Sequence, residues 1–360
     1  MYKVLILANN DIGLYNFRKE LIEELIAQKN RVYLSLPDGP KIQALVTMGA
    51  EFIDTPVNRR GINPITDIKL LIKYFQIIKM VKPDYIFSYT IKPNIYGGIS
   101  SRIKKVPLLA TITGLGTVFQ KDGLLKDFII FLYRQALKSA RSVLFENVSN
   151  LNTFVENSII TSKQAVLLNG AGVNIEQFNF DQLPKQNGVS FIFLGRIMKE
   201  KGVDELFAVA QRIVREYPDT QFHVLGYYEE NYKDTVEKLH EQGVINFHGM
   251  QEDVKPYIQA SHCCILPSYH EGMSNTLLEA ASMGRPLITS NINGCKEAVI
   301  DGESGYLCNV RDGEDLYLKV KQFIELPYEK KAQMGVISRK HIENNFNRER
   351  VVEKVISLLD

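Results

Sequence analysis

The sequence predicts an α/β protein made of two doubly wound, parallel-sheet domains, and three observations carry that expectation. Short apolar runs of strand character alternate with longer segments whose apolar residues recur at helical spacing. Such alternation is that of parallel sheets wrapped by helices. The rhythm runs twice, interrupted at 174–188 by a polar stretch with Pro184, Gly188 and no clear period. A length of 360 residues suits two domains, and 45% hydrophobic content lets each bury a core. The expected division is a first domain over 1–173, a linker over 174–188, a second domain over 189–345, and a final helical segment over 346–360.

The elements follow in order. Residues 3–8 are short and apolar, a first strand; 14–28 place Phe17, Leu21 and Leu25 at helical spacing. Strands over 31–36 and 51–57 flank a helix over 41–48. Residues 64–81 read as an amphipathic helix, which Pro83 ends. Strands over 84–89, 108–113, 142–145 and 165–168 continue the pattern. The second set has strands over 189–194, 221–225, 244–247, 263–266 and 286–290, with a helix over 203–217 and a last one near 349–359.

The net charge of +2 conceals an asymmetry. Residues 1–180 hold 22 Lys/Arg against 14 Asp/Glu, a balance of +8, and the remainder carries −6. A basic first half suggests an anionic partner there. Cys263, Cys264, Cys295 and Cys308 form no metal-ligand spacing, so they read as small core residues of a protein in a reducing compartment. Residues 3–8 already read as a first strand, so no signal peptide is expected. No apolar run approaches the roughly 20 residues that cross a bilayer. A cytoplasmic protein, touching the membrane only at its face, is expected.

Two motifs carry chemistry. Glu271-Gly272-Met273-Ser274-Asn275-Thr276-Leu277-Leu278-Glu279 follows the apolar run 263–267 and opens a helix. Two carboxylates bracket a small-residue turn and a helix start, whose backbone N–H groups favour phosphate. Ionised carboxylates accept strongly from sugar hydroxyls. A ligand with an anionic middle and hydroxyls at both ends, such as a nucleotide-sugar, has that layout. Gly195-Arg196 ends a strand, and Lys199-Glu200-Lys201-Gly202 leads into a helix. Cations at a helix N-terminus oppose its dipole, so Arg196 and Lys201 read as ligands of an anion rather than as helix stabilisers. Together they would neutralise a diphosphate as it leaves.

In that order, about 75 residues apart, these motifs resemble those of the retaining glycosyltransferases of family 4, and the resemblance covers essentially the whole chain. It is nearest to bacterial capsule, O-antigen and glycan-assembly enzymes that extend undecaprenyl-diphosphate-linked sugars. The resemblance implies the GT-B fold, two Rossmann-like domains facing across a cleft, with the final helix packing back on the first domain. It implies Arg196, Lys201 and Glu271 as catalytic residues, Glu271 accepting from the donor sugar and Glu279 from the ribose. Gly195, Gly272, Met273, Ser274 and Asn275 would line the nucleotide-sugar, largely through backbone donors. Met250, after His248-Gly249, would lie beside the nucleobase, although a Met packing on core is an equal reading. His270 is either an exposed residue or a supporting one.

The first domain would take the acceptor. Its expected contributors are Asn9, Asp11 and Gly13 after the first strand, where an N-cap turn is an equal reading, and Lys92, Thr113 and Gly114. Many relatives carry a His in this region, whereas all six His here lie beyond residue 220. A His-mediated role from the first domain is excluded. The chain has no Asp-x-Asp, so no metal or other cofactor is expected, and the two cations take the charge role. Gly170 and Gly172 suit a hinge. Lys69, Lys73, Lys79 and Lys82 punctuate the 64–81 helix, Arg59 and Arg60 precede it, and Arg102, Lys104 and Lys105 form another basic cluster. These would attract anionic lipid headgroups or a polyprenyl diphosphate. Nucleic acid is not expected, because base-stacking aromatics do not accompany them. The resulting expectation is transfer of an N-acetylhexosamine such as GalNAc, or a hexose, from a UDP-sugar to a polyprenyl-diphosphate-linked saccharide. The rivals are a UDP-sugar 2-epimerase of the same fold and a non-catalytic nucleotide-sugar-binding subunit.

Overall fold

A computed structural model describes residues 1–58, 63–116, 119 and 123–359. The chain forms two compact units, one of Met1–Ala171 with Glu349–Asp360 and one of Gly172–Arg348.

The first unit holds β1 (Lys3–Leu7), β2 (Arg31–Leu36), β3 (Glu51–Asp54), β4 (Tyr85–Tyr89), β5 (Leu108–Ile112), β6 (Ser142–Phe145) and β7 (Ala165–Leu167). They make one sheet in the order β3-β2-β1-β4-β5-β6-β7, parallel throughout. Strand alternation divides the core in two. Leu5 and Leu7 join Tyr74, Ile77 and Tyr133 on one face, while Val4 and Ile6 join Leu14, Leu21 and Leu25 on the other. With both faces covered, β4 and β5 are buried end to end. Helix Pro64–Val81 starts where Asn63 Oδ1 accepts from Ile65 N–H at 3.0 Å and Pro64 takes the first position. After Glu349 the chain rejoins this unit. Val351, Val355 and Leu359 pack into the core of Val4 and Ile6, and Tyr85 O–H donates to the Leu359 carbonyl.

The second unit holds β8 (Ser190–Leu194), β9 (Gln221–Leu225), β10 (Asn246–Gly249), β11 (Cys263–Leu266), β12 (Leu287–Ser290) and β13 (Gly305–Cys308), in the parallel order β10-β9-β8-β11-β12-β13. The strand β13 was not expected from the sequence. It has four residues, follows the turn-like Asp301-Gly302-Glu303-Ser304, and opens on a glycine whose Cβ would stand 2.0 Å from the Leu287 carbonyl oxygen. The four cysteines are buried free thiols.

Residues 174–188 are not a free linker but part of this unit, which also runs on to Arg348 rather than ending at 345. Phe178 and Leu183 are buried, and the Phe178 carbonyl accepts from Ser282 Oγ and from Arg339. The main fastener is Arg285, fully buried and with no ion pair to a carboxylate among the described residues. Its Nη1 donates to the carbonyls of Gln259 and Ser261, and its Nη2 to those of Asp181, Gln182 and Met283. A polar stretch without periodicity is thereby held by its backbone, which no side-chain pattern reveals.

Candidate active site

In an open parallel sheet, ligands bind beyond the carboxyl ends of the strands where strand order reverses. In the second unit that point lies between β8 and β11, since β9 and β10 extend one way from β8 and β11 to β13 the other. Gly195-Arg196 follows β8, and Ser268 to Glu271 follow β11. Two glycines let these loops close on their neighbours. Gly226, after β9, has φ +151°, and a Cβ there would stand 1.7 Å from the Gly195 carbonyl oxygen. Gly202, at φ +69°, would place a Cβ 2.1 Å from the Pro267 carbonyl oxygen. Gly202 thus lets the short 3-10 turn Lys199–Lys201 lie against the end of β11, where Tyr269 N–H donates to the Glu200 carbonyl at 2.8 Å.

That closure pairs two residues expected to act separately. Lys201 Nζ donates to Glu271 Oε1, and Ser268 Oγ donates to the same oxygen at 2.8 Å. The two side chains are only 16% and 12% exposed. Arg196 differs: its side chain is 44% exposed, and among the described residues its carboxylate partner, Glu229 Oε2, lies 3.9 Å from Nη1. One cation is therefore anchored and the other is loosely held. Glu229, itself only 9% exposed, was not legible as a site residue, because the β9 loop carries Glu229-Glu230 with no distinguishing neighbour.

The Gly272 to Asn275 segment is propped by Gly294. That residue has φ +89°, its carbonyl accepts from Ser274 N–H at 2.8 Å, and its N–H donates to Glu297. Helix Asn275–Ser282 has no side-chain cap, and Asn275 Oδ1 is buried with no hydrogen-bond partner among the described residues. An unsatisfied buried acceptor beside free helix amides is a ligand-directed feature. Met273 and Ser274 are buried, and the Met273 side chain belongs to the core, so only its backbone faces a ligand. Glu279 stands at the fifth helical position, beyond the first turn, where the helix dipole adds little. Burial raises its carboxyl to about 7, and the Arg348 charge opposes the rise.

Met250 is 63% exposed, against the core-packing alternative. It follows Gly249, whose φ is +67° and whose carbonyl accepts from Gly226 N–H at 2.8 Å, tying the β10 end to the β9 end. His248 stacks on His223, with 3.0 Å between their ring nitrogens, and burial lowers both imidazoles below the usual range. His270 is exposed.

In the first unit, strand order reverses between β1 and β4. Asn10, not Asp11, is the N-cap of helix Asp11–Ala27, its Oδ1 accepting from Gly13 N–H at 2.7 Å. Asp11 is buried and its Oδ2 accepts from Lys41 N–H at 2.7 Å, so its carboxylate holds a neighbouring loop. Gly13 lies within the helix. Arg59 and Arg60 lie outside the described residues. Lys92 is paired with Asp67 at 2.6 Å. Asn9, Thr113 and Gly114 are partly exposed, with Gly114 at φ +157° and open space around it.

Two features here were not read from the sequence. Thr90, just after β4, has φ +72°, rare for a β-branched residue, and its Oγ1 is buried with no partner among the described residues. Arg18 and Glu146, 128 residues apart, form a buried pair at 2.9 Å with the guanidinium over the Tyr89 ring. Burial raises the Glu146 carboxyl, and Arg18 opposes that.

Comparison with known proteins covers both units. Residues 3–147 match the family described as glycosyl transferase 4-like, and residues 174–341 match glycosyl transferases group 1. The chain is 24% identical over 341 residues to the N,N'-diacetylbacillosaminyl-diphospho-undecaprenol alpha-1,3-N-acetylgalactosaminyltransferase of Campylobacter jejuni, covering 89% of this chain and 88% of that one. It is 27% identical over 324 residues to the UDP-Gal:alpha-D-GlcNAc-diphosphoundecaprenol alpha-1,3-galactosyltransferase of Escherichia coli, covering 84% and 82%. The crystal structure of Anabaena HepE with UDP and glucose superposes with a TM-score of 0.82 at 16% identity, over 100% of this chain and 99% of that one. With both halves matched and the fold shared end to end, the chain belongs to the glycosyltransferases of the GT-B fold.

Proposed function

We propose that the protein moves a sugar, an N-acetylhexosamine such as GalNAc or a hexose, from a UDP-sugar to a saccharide carried on a polyprenyl diphosphate, with retention at the anomeric carbon and without a metal ion. The observation that carries the reading is the anchored Lys201–Glu271 pair beside the exposed Arg196 at the switch point of the second sheet. The named substrates of the Campylobacter and Escherichia relatives, both diphospho-undecaprenol sugars, support the lipid-linked acceptor.

The chemistry follows from charge. A diphosphate lying by Arg196 and Lys201 has its growing negative charge met as the bond to the anomeric carbon breaks. The electron pair goes to the phosphate oxygen. The acceptor hydroxyl bonds to the anomeric carbon on the same face, and its proton passes to that phosphate oxygen. Glu271, which holds Lys201, accepts from a donor-sugar hydroxyl. Glu279 accepts from the ribose, and the exposed Met250 lies against the base. On the first unit, Asn9, Thr113 and Gly114 meet the acceptor.

The test is a transfer assay. Purified protein meets a panel of UDP-sugars and a short-chain polyprenyl-diphosphate monosaccharide, with and without EDTA, read by mass spectrometry and by the anomeric coupling of the product. One added sugar of retained configuration, surviving EDTA, is the expected result. An inverted product, or loss of transfer in EDTA restored by a divalent ion, overturns the corresponding part.

A further inference from the structure

The end of β9 carries an aromatic side chain that the core does not use. Tyr227 and Tyr228 follow Gly226. Tyr228 packs on the Phe247 ring, with 5.3 Å between centroids, and against the core of the second unit. Tyr227 is 44% exposed. A single exposed tyrosine is ordinary on a surface, so its place decides what it means.

Parallel pairing runs past the ends of β8 and β9. Leu194 pairs with Leu225 and Ile197 with Tyr228. The Ile197 N–H donates to the Tyr227 carbonyl at 2.9 Å, and the Ile197 carbonyl accepts from Glu229 N–H at 3.1 Å. That register makes Arg196 the direct neighbour of Tyr227. Side chains alternate across an extended pair. Ile197 is fully buried, so it and Tyr228 take the core side, and Arg196 and Tyr227 take the other. Glu229, two residues beyond Tyr227, falls on that second side as well, which is where Arg196 reaches it.

The third strand end joins through Gly226. Its N–H donates to the Gly249 carbonyl at 2.8 Å, which sets Met250, 63% exposed, beside Gly226 and Tyr227. Gly249 itself faces open space, since a Cβ there would meet nothing within 4 Å. Arg196, Tyr227 and Met250 thus stand in a row on three adjacent strand ends, spaced about 4.8 Å apart. Glu271 follows β11, on the opposite flank of β8 from β9. With the donor sugar at Glu271 and the diphosphate at Arg196, the end that reaches over β9 and β10 is the nucleoside. An aromatic face and a soft sulfur both attract a base ring.

We propose that Tyr227 stacks on the nucleobase of the donor, with Met250 at the edge of the same ring. The inference rests on the nucleotide-sugar reading of the second unit and adds the residue that supplies its affinity for the base. Every base has a π-face, so Tyr227 supplies affinity and not the choice of base.

UDP alone, without sugar or acceptor, is titrated into the full chain by calorimetry. Tyr227→Ala is expected to weaken UDP binding about tenfold or more. Tyr227→Phe should bind within about threefold of the parent, since the ring rather than the hydroxyl makes the contact. Melting temperatures close to the parent's are expected of both variants at so exposed a position. In transfer, Tyr227→Ala should raise the KM for the UDP-sugar by the same factor as the UDP affinity falls and keep kcat, because the base contact is equal in ground and transition states. Unchanged UDP affinity in Tyr227→Ala overturns the proposal and leaves the donor reading standing. A loss in Tyr227→Phe as large as that in Tyr227→Ala makes the hydroxyl the contact and also overturns it. A parent that binds no UDP overturns the donor reading itself, and this inference falls with it.

Discussion

Lys201 and Glu271, 70 residues apart in the chain, are joined as an ion pair at the carboxyl edge of the second sheet, with Ser268 on the same carboxylate oxygen. Each side chain is mostly buried, so each depends on the other for its charge to be tolerated. Lys201→Ala is therefore expected to destabilise the protein by about 3 kcal/mol, by leaving Glu271 buried without its cation. In a double-mutant cycle, Lys201→Ala/Glu271→Gln should lose clearly less than the sum of the two single changes. Additive losses in chemical denaturation would mean that the pair contributes no coupling.

Arg196 is the opposite case. At 44% exposure, with its carboxylate partner among the described residues 3.9 Å away, it has little structural work. Arg196→Ala should leave the melting temperature within a degree or two. It should lower turnover roughly a hundredfold, the effect of losing about 3 kcal/mol of leaving-group stabilisation. Single-turnover rates at saturating donor measure this, and an unchanged rate refutes the assignment.

Glu279 makes the protein pH-sensitive. Burial raises its carboxyl from 4.5 to about 7. Between those values the folded state keeps a proton that the unfolded state has released. Stability is therefore highest below about 4.5 on this account, falls as pH rises through 7, and is level above, by at most about 3 kcal/mol. Glu279→Gln should flatten that dependence in melting curves taken from pH 5 to 8. Donor binding runs the other way: if the carboxylate accepts from ribose hydroxyls, UDP-sugar affinity measured by calorimetry weakens as pH falls below 7, and the Gln variant shows no such trend.

Arg285 is a stability residue outside the proposed chemistry. It supplies five backbone carbonyls from three segments, and burial lowers its own guanidinium to about 10. Arg285→Leu should cost 3 kcal/mol or more, about one unit for each carbonyl left in excess. Arg285→Lys should recover little, because an ammonium lacks the forked geometry. Limited proteolysis near 181–183 should quicken in both variants, and unaltered cleavage would show that the segment is held by other means.

The sequence by itself determined the strand–helix rhythm, because parallel sheets covered on both faces require apolar runs that a reader can see, as in β4 and β5. It also singled out Arg196, Lys201, Glu271 and Glu279 as candidates for one ligand, since cations at a helix start and carboxylates around a glycine turn have few structural uses. Tertiary structure alone decided which of these are already partnered. The Lys201–Glu271 pair, the commitment of Asp11 to Lys41 and of Lys92 to Asp67, and the buried Arg18–Glu146 contact all join residues whose nearness depends on loop closure over many intervening positions. It also decided that 174–188 is packed, because backbone carbonyls bound by a distant arginine leave no trace in composition.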